Sequence, residues 1–162
     1  MNYRRLIPLA VLLILLTTAC KKETDVYQVK TFHVRNESAI KGTQKSSLEL
    51  ISIAYFDLFG KEIAGQELNN LMTAYASFGD KQVMTERIIQ NFLIRKDADI
   101  PSDALMRNNV RAFVEATYRR FYTRNADEQE LQTLTKLIET SPEITPSDVY
   151  YAFLTSNEYL YY

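Results

Sequence analysis

From Ser46 onward the chain sets apolar stripes at helical spacing between short polar breaks. Residues Leu48 to Phe59 are apolar nearly all round, through Leu50, Ile51, Ile53, Tyr55, Phe56 and Leu58. Such a helix belongs at the centre of a fold. Ser46-Ser47-Leu48-Glu49 has capping-box spacing at its start, and Gly60 suits its stop. Leu68, Leu71, Met72, Tyr75 and Phe78 predict a second helix ending at Gly79. Asp80 caps a third, which carries Val83, Met84, Ile88, Phe92 and Leu93. After a break from Lys96 to Pro101, Ser102 and Asp103 open a fourth. Its stripe of Val110, Phe113, Val114, Thr117, Tyr118, Phe121 and Tyr122 keeps the i, i+3, i+4, i+7 rhythm. Asp127 with Glu130 opens a fifth helix holding Leu131, Leu134, Leu137 and Ile138. Thr145-Pro146-Ser147-Asp148 opens a sixth, with Pro in the first turn, burying Val149, Tyr150, Phe153 and Leu154.

The two halves of this pattern correspond. At an offset of 63, Ile51 meets Val114, Tyr55 meets Tyr118 and Phe59 meets Tyr122. Gln66-Glu67-Leu68 meets Gln129-Glu130-Leu131, and Leu71 meets Leu134. At an offset of 61, Phe92-Leu93 meets Phe153-Leu154. The expected fold is therefore all-α: two related three-helix units, about 48–96 and 102–162, burying their apolar faces together in one compact domain.

Residues ahead of this domain read differently. Residues 20–47 are polar and without helical rhythm, which predicts a tether. Val26, Tyr27, Val29, Phe32 and Val34 mark a short extended segment within it. Residues 1–19 carry Arg4 and Arg5, an apolar run of 11 residues from Leu6 to Leu16, then Thr17, Thr18 and Ala19 before Cys20. That is the three-part layout of a secretory signal. The run is short of the roughly 20 residues a spanning helix needs.

Composition supports the helical reading. Hydrophobic residues are 46% of the chain, with four Gly and four Pro, which disfavours a turn-rich sandwich. Tyr (11) and Phe (8) replace Trp, so the core is aromatic as well as aliphatic. The net charge is −1; without residues 1–19 there are 17 basic against 20 acidic residues, and no basic excess for nucleic acid. With one cysteine, no internal disulfide forms.

The segment MNYRRLIPLAVLLILLTTAC resembles a bacterial lipoprotein signal, in which a box of small residues ends in cysteine. Thr17 stands where such boxes usually carry Leu. The resemblance implies cleavage before Cys20 and acylation of its thiol. At about 0.8 kcal/mol per buried methylene, several acyl chains hold a protein stably without a transmembrane helix. Cys20-Lys21-Lys22-Glu23 is similar to the start of Bacteroidetes-type lipoproteins, which implies an outer-membrane site, facing periplasm or surface.

A second resemblance lies in the second unit. Tyr118-Arg119-Arg120-Phe121-Tyr122-Thr123-Arg124, then Glu130-Leu131, then Ala152-Phe153-Leu154-Thr155-Ser156-Asn157-Glu158-Tyr159, resembles a helical domain of unknown function in bacterial surface and extracellular proteins. That pattern has Gly and Pro where this chain has Thr123 and Ala126. The resemblance implies a non-catalytic envelope domain and brings no catalytic residues with it.

Chemistry-bearing constellations are sparse. His33 is the one histidine and sits in the tether, so neither a zinc site nor a preorganised catalytic triad assembles around it. Gly60-Lys61-Glu62 lacks the remainder of a phosphate loop. Glu67 and Glu130, equivalent in the two units, are a candidate acid–base pair, but their position suits first-turn acids better. Arg107, Arg111, Arg119, Arg120 and Arg124 make one helix basic outside its stripe. The tail from Asn157 to Tyr162 is aromatic without helical alternation; either Tyr159 and Leu160 close the core and the last two residues fray, or the rings form an interface. Tyr159, Tyr161, Tyr162, Arg111 and Arg119 are the candidate interface residues. The expectation is a non-enzymatic, membrane-anchored envelope module without cofactor or metal, binding another envelope protein, with a glycan as the alternative ligand.

Overall fold

The computed structural model describes residues 43–161. The signal segment 1–19, Cys20, the tether up to residue 42 with its extended segment and His33, and Tyr162 lie outside the described residues.

The described chain is helical. The first unit comprises α1 (Ser47–Phe59), α2 (Gly65–Ser77) and α3 (Lys81–Leu93). A short α4 (Asp103–Asn108) leads into the second: α5 (Val110–Tyr122), α6 (Glu128–Thr140) and α7 (Pro146–Leu154). One turn, α8 (Asn157–Leu160), closes the fold.

Local chemistry sets most of these boundaries. Ser46 and Glu49 form the reciprocal capping box of α1, at 3.3 and 2.7 Å. Gly60 ends it in the left-handed region, φ 64°, donating its N–H to the Phe56 carbonyl at 2.8 Å. Asp80 caps α3; capping boxes open α6 (Asp127 with Glu130) and α7 (Thr145 with Asp148). Thr123, which matches Gly60 at the offset of 63, also sits in the left-handed region, φ 57°. A β-branched residue is strained there.

The core is drawn from α1, α3, α5 and α7 together with Met106 of α4 and Tyr159 of α8. α2 contributes no fully buried residue and α6 contributes only Leu131 and Ile138. The second helix of each unit is therefore an outer layer. Pairing of α3 with α7 joins the two units.

Three expectations need correction. The fourth helix is two: Asn109, at φ −152° and ψ 80°, interrupts it, and its side chain caps α5 by accepting from Ala112 N–H at 3.1 Å. An Asn side chain bonds its own neighbouring backbone and so competes with helix continuation. The tail is not an interface at Tyr159 but closes the core there: Ser156 caps α8 and Tyr159 is 1% exposed. The tether is shorter than expected at its far end. Gln44 forms an antiparallel bridge with Tyr161, and Lys45 N–H donates to the Leu160 carbonyl at 2.9 Å.

Candidate functional site

The two units repeat one polar device over one aromatic cluster. In the first, Tyr55 and Phe59 of α1 meet Phe92 of α3 edge-on, at 5.4 and 5.8 Å between ring centres. In the second, Tyr118 and Tyr122 of α5 meet Phe153 of α7 at 4.9 and 4.7 Å. A guanidinium lies over each pair. Arg95 sits 5.3 Å from Tyr55 and 4.4 Å from Phe59; Arg124 sits 5.0 Å from Tyr118 and 5.6 Å from Tyr122.

Each guanidinium also clamps two carboxylates. Arg95 holds Glu67, in the first turn of α2, at 2.6 Å, and Asp97 in a fork at 3.0 and 2.9 Å. Arg124 holds Glu130, in the first turn of α6, at 2.7 and 2.8 Å, and Glu158 at 2.6 and 2.8 Å. Glu67 matches Glu130 at the offset of 63, and Asp97 matches Glu158 at 61. The acids and rings are equivalent, whereas the arginines come from different places. Arg95 follows α3; Arg124 follows α5 and matches Lys61, which itself lies 3.6 Å from Asp97.

Charge and burial act accordingly. Hydrogen bonding to Arg124 holds the Glu130 carboxyl below its usual range, against the effect of burial. Hydrogen bonding to Arg95 brings Asp97 down to about 2. Burial, with the nearby Glu130 charge, pushes the Tyr118 hydroxyl up to about 12, so it stays a protonated donor.

An open cleft of about 440 Å³ lies over the second cluster, between α6 and α7. Tyr118, Tyr122 and Phe153 form its floor; Leu134, Leu137 and Ala152 form its walls; Asp127, Gln129, Glu130 and Thr133 form its rim. It exists because α6 packs along α5 and makes little contact with α7, whereas α2 packs on both α1 and α3. Leu137, at 49% exposure, is consequently left uncovered.

The sequence-derived candidates fall elsewhere. Arg111 pairs with Glu115 and Glu128 at 3.5 and 3.0 Å, and Arg119 with Glu115 at 3.4 Å, all on a solvated face. Arg107 is structural: it pairs with Asp103 and reaches the carbonyls of Ile138, Pro142 and Ile144. Arg120 binds the Asp57 carbonyl, both the carbonyl and the carboxylate of Asp99, and the Tyr150 hydroxyl. Glu67 and Glu130 are each bound to their own arginine as first-turn acids. Tyr159 is no surface residue; its hydroxyl donates to Asp57 at 2.7 Å, and burial pushes the Asp57 carboxyl up. Tyr161 is exposed beside Gln44. The cleft and the Arg95 clamp were missed by sequence reasoning; the shared offset of Asp97 and Glu158 was the available signal.

Among the described residues no group of three or more His, Cys, Asp or Glu is placed to hold a metal, and no helix is long and apolar enough to cross a membrane. No protein-family model matches the chain, and no curated protein or solved structure matches it.

Proposed function

We propose that this chain is a lipoprotein of the bacterial envelope, held in the outer membrane by acyl chains on Cys20, whose helical domain binds or scaffolds another envelope protein without catalysing a reaction. The observation that carries the reading is the layout of residues 1–20, in which the one cysteine closes the small-residue box. The test compares wild type with Cys20→Ser in membrane fractions, with mass spectrometry of the mature N-terminus. Acylated Cys20 and loss of the variant from the membrane are expected; a Cys20→Ser protein processed and retained as before overturns the anchor. Crosslinking in intact cells followed by gentle detergent extraction reads the partner. A strictly solitary protein overturns the scaffold.

A glycan or peptidoglycan ligand is the second reading. The three rings of the cleft beside Gln129 and Thr133 favour it, since sugars stack on aromatic faces and bond to amide and hydroxyl rims. Retention on purified cell-wall material, lost on closing the cleft with Ala152→Arg, separates it from the first.

A further inference from the structure

The two units differ by one cation. The first brings two, Arg95 and Lys61, to two carboxylates, Glu67 and Asp97. Among the described residues, the second brings only Arg124 to Glu130 and Glu158, and adds Asp127, where the first unit has Ala64. The first cluster is balanced; the second carries a surplus of two negative charges. Nearby Glu128 does not alter this, because Arg111 is bound to it.

The position of the shortfall is defined. Arg95 matches Ser156 at the offset of 61, and Ser156 is committed to capping α8 and to accepting from the Tyr122 hydroxyl at 2.7 Å. In the first unit the Tyr55 hydroxyl accepts from Arg95 at 3.4 Å. Its counterpart Tyr118, only 8% exposed, lines the cleft, and its hydroxyl has no hydrogen-bond partner among the described residues. A wholly apolar guest would strip water from that hydroxyl and leave it unbonded. An anion would meet the surplus carboxylates. A guest with an apolar stem and a planar cationic head meets every wall: methylenes against Leu134 and Leu137, a delocalised face against Phe153, and donors towards Tyr118, Asp127 and Glu130.

We propose that the α6–α7 cleft receives an arginine side chain of a partner polypeptide, which supplies from outside the second cation that Arg95 supplies from within the first unit. The inference rests on the reading of this chain as a protein-binding module. Carboxylates already held by Arg124 keep lone pairs for a further donor, since each carboxylate accepts about four hydrogen bonds.

The full chain in detergent, with labelled tyrosine rings, is titrated by NMR with N-acetyl-arginine amide and with its neutral isostere, N-acetyl-citrulline amide. The arginine probe is expected to shift the Tyr118 and Tyr122 signals with a Kd of about 1–10 mM, and the citrulline probe to bind at least about tenfold more weakly. Tyr118→Phe keeps the ring, and Asp127→Asn keeps a capping side chain; each is expected to weaken the arginine probe by about five- to tenfold. Equal binding of both probes, or signals that do not move, overturns the proposal. Binding unchanged in both variants overturns it as well. An envelope partner recovered equally by wild type and Tyr118→Phe, with the probe silent, removes the cleft and leaves the scaffold reading standing. Probe binding with no partner recovered keeps the cleft and removes that reading.

Discussion

α2 and α6 occupy the same place in their units and are held there by different means. α2 begins at Ala64, which offers no side chain to its first turn, buries no residue fully, and rests on both neighbours. α6 begins with a complete capping box, anchors itself through Leu131 and Ile138, and lies chiefly along α5. A helix secured by its own cap and anchors can stand away from α7 and leave a cleft. A helix without them is held from both sides.

The clamps sharpen the contrast. Arg124 and its two acids are each less than a third exposed, and among the described residues no second cation pairs with those acids. Arg124→Ala is expected to cost about 2–3 kcal/mol in chemical denaturation, because Glu130 and Glu158 lose their partner while still partly desolvated. Arg95→Ala is expected to cost less, about 1 kcal/mol, since Glu67 and Asp97 are more exposed and Lys61 remains beside Asp97. Equal losses in the two variants would erase the distinction between the clamps.

Acid titration separates the clamps further. Arg124 lowers the Glu130 carboxyl in the folded state, so its stabilisation is complete above the ordinary Glu value of 4.5 and is lost as the pH falls through the lowered value. Denaturation measured from about pH 5 down to about pH 3 is expected to fall less steeply for Arg124→Ala than for wild type. Unchanged steepness would mean that Arg124 does not set that carboxyl.

Smaller effects come from the ends of helices. Ala64→Ser gives α2 the cap that α6 already has and is expected to add about 1 kcal/mol, with slower hydrogen exchange confined to α2 amides. Thr123→Gly relieves the left-handed strain that Gly60 avoids at the matching position. It is expected to raise stability by about 0.5 kcal/mol, the relief slightly exceeding the extra entropy of glycine in the unfolded chain.

The sequence showed the helices where side-chain chemistry is local. Ser46 with Glu49, Gly60, Asp80, Asp127 with Glu130, and Thr145 with Asp148 each act within one turn, and the stripes follow from spacing. Asn109 escaped notice because the apolar stripe resumes in phase on either side of it. Tyr159 was legible only as a choice between core and interface, because one turn is too short to show a period and its burial depends on Asp57, 102 residues away. Of the site, the offset at Glu67 and Glu130 exposed one corner. The clamps join a loop arginine to acids as far as 34 residues along the chain. The cleft reflects how one helix leans, which no stripe records.

The pairing of Gln44 with Tyr161 has a mechanical consequence. The bridge is antiparallel, with residue 43 at its open end. A pull on residue 43 across the bridge therefore strains the Gln44–Tyr161 contact first, then the bonds Lys45 makes through its N–H to the Leu160 carbonyl and through Nζ to the Tyr159 and Tyr161 carbonyls, at the edge of the fold ahead of α1. Small tugs are spent on a joint that recloses when slack returns, and the helices behind it keep their packing.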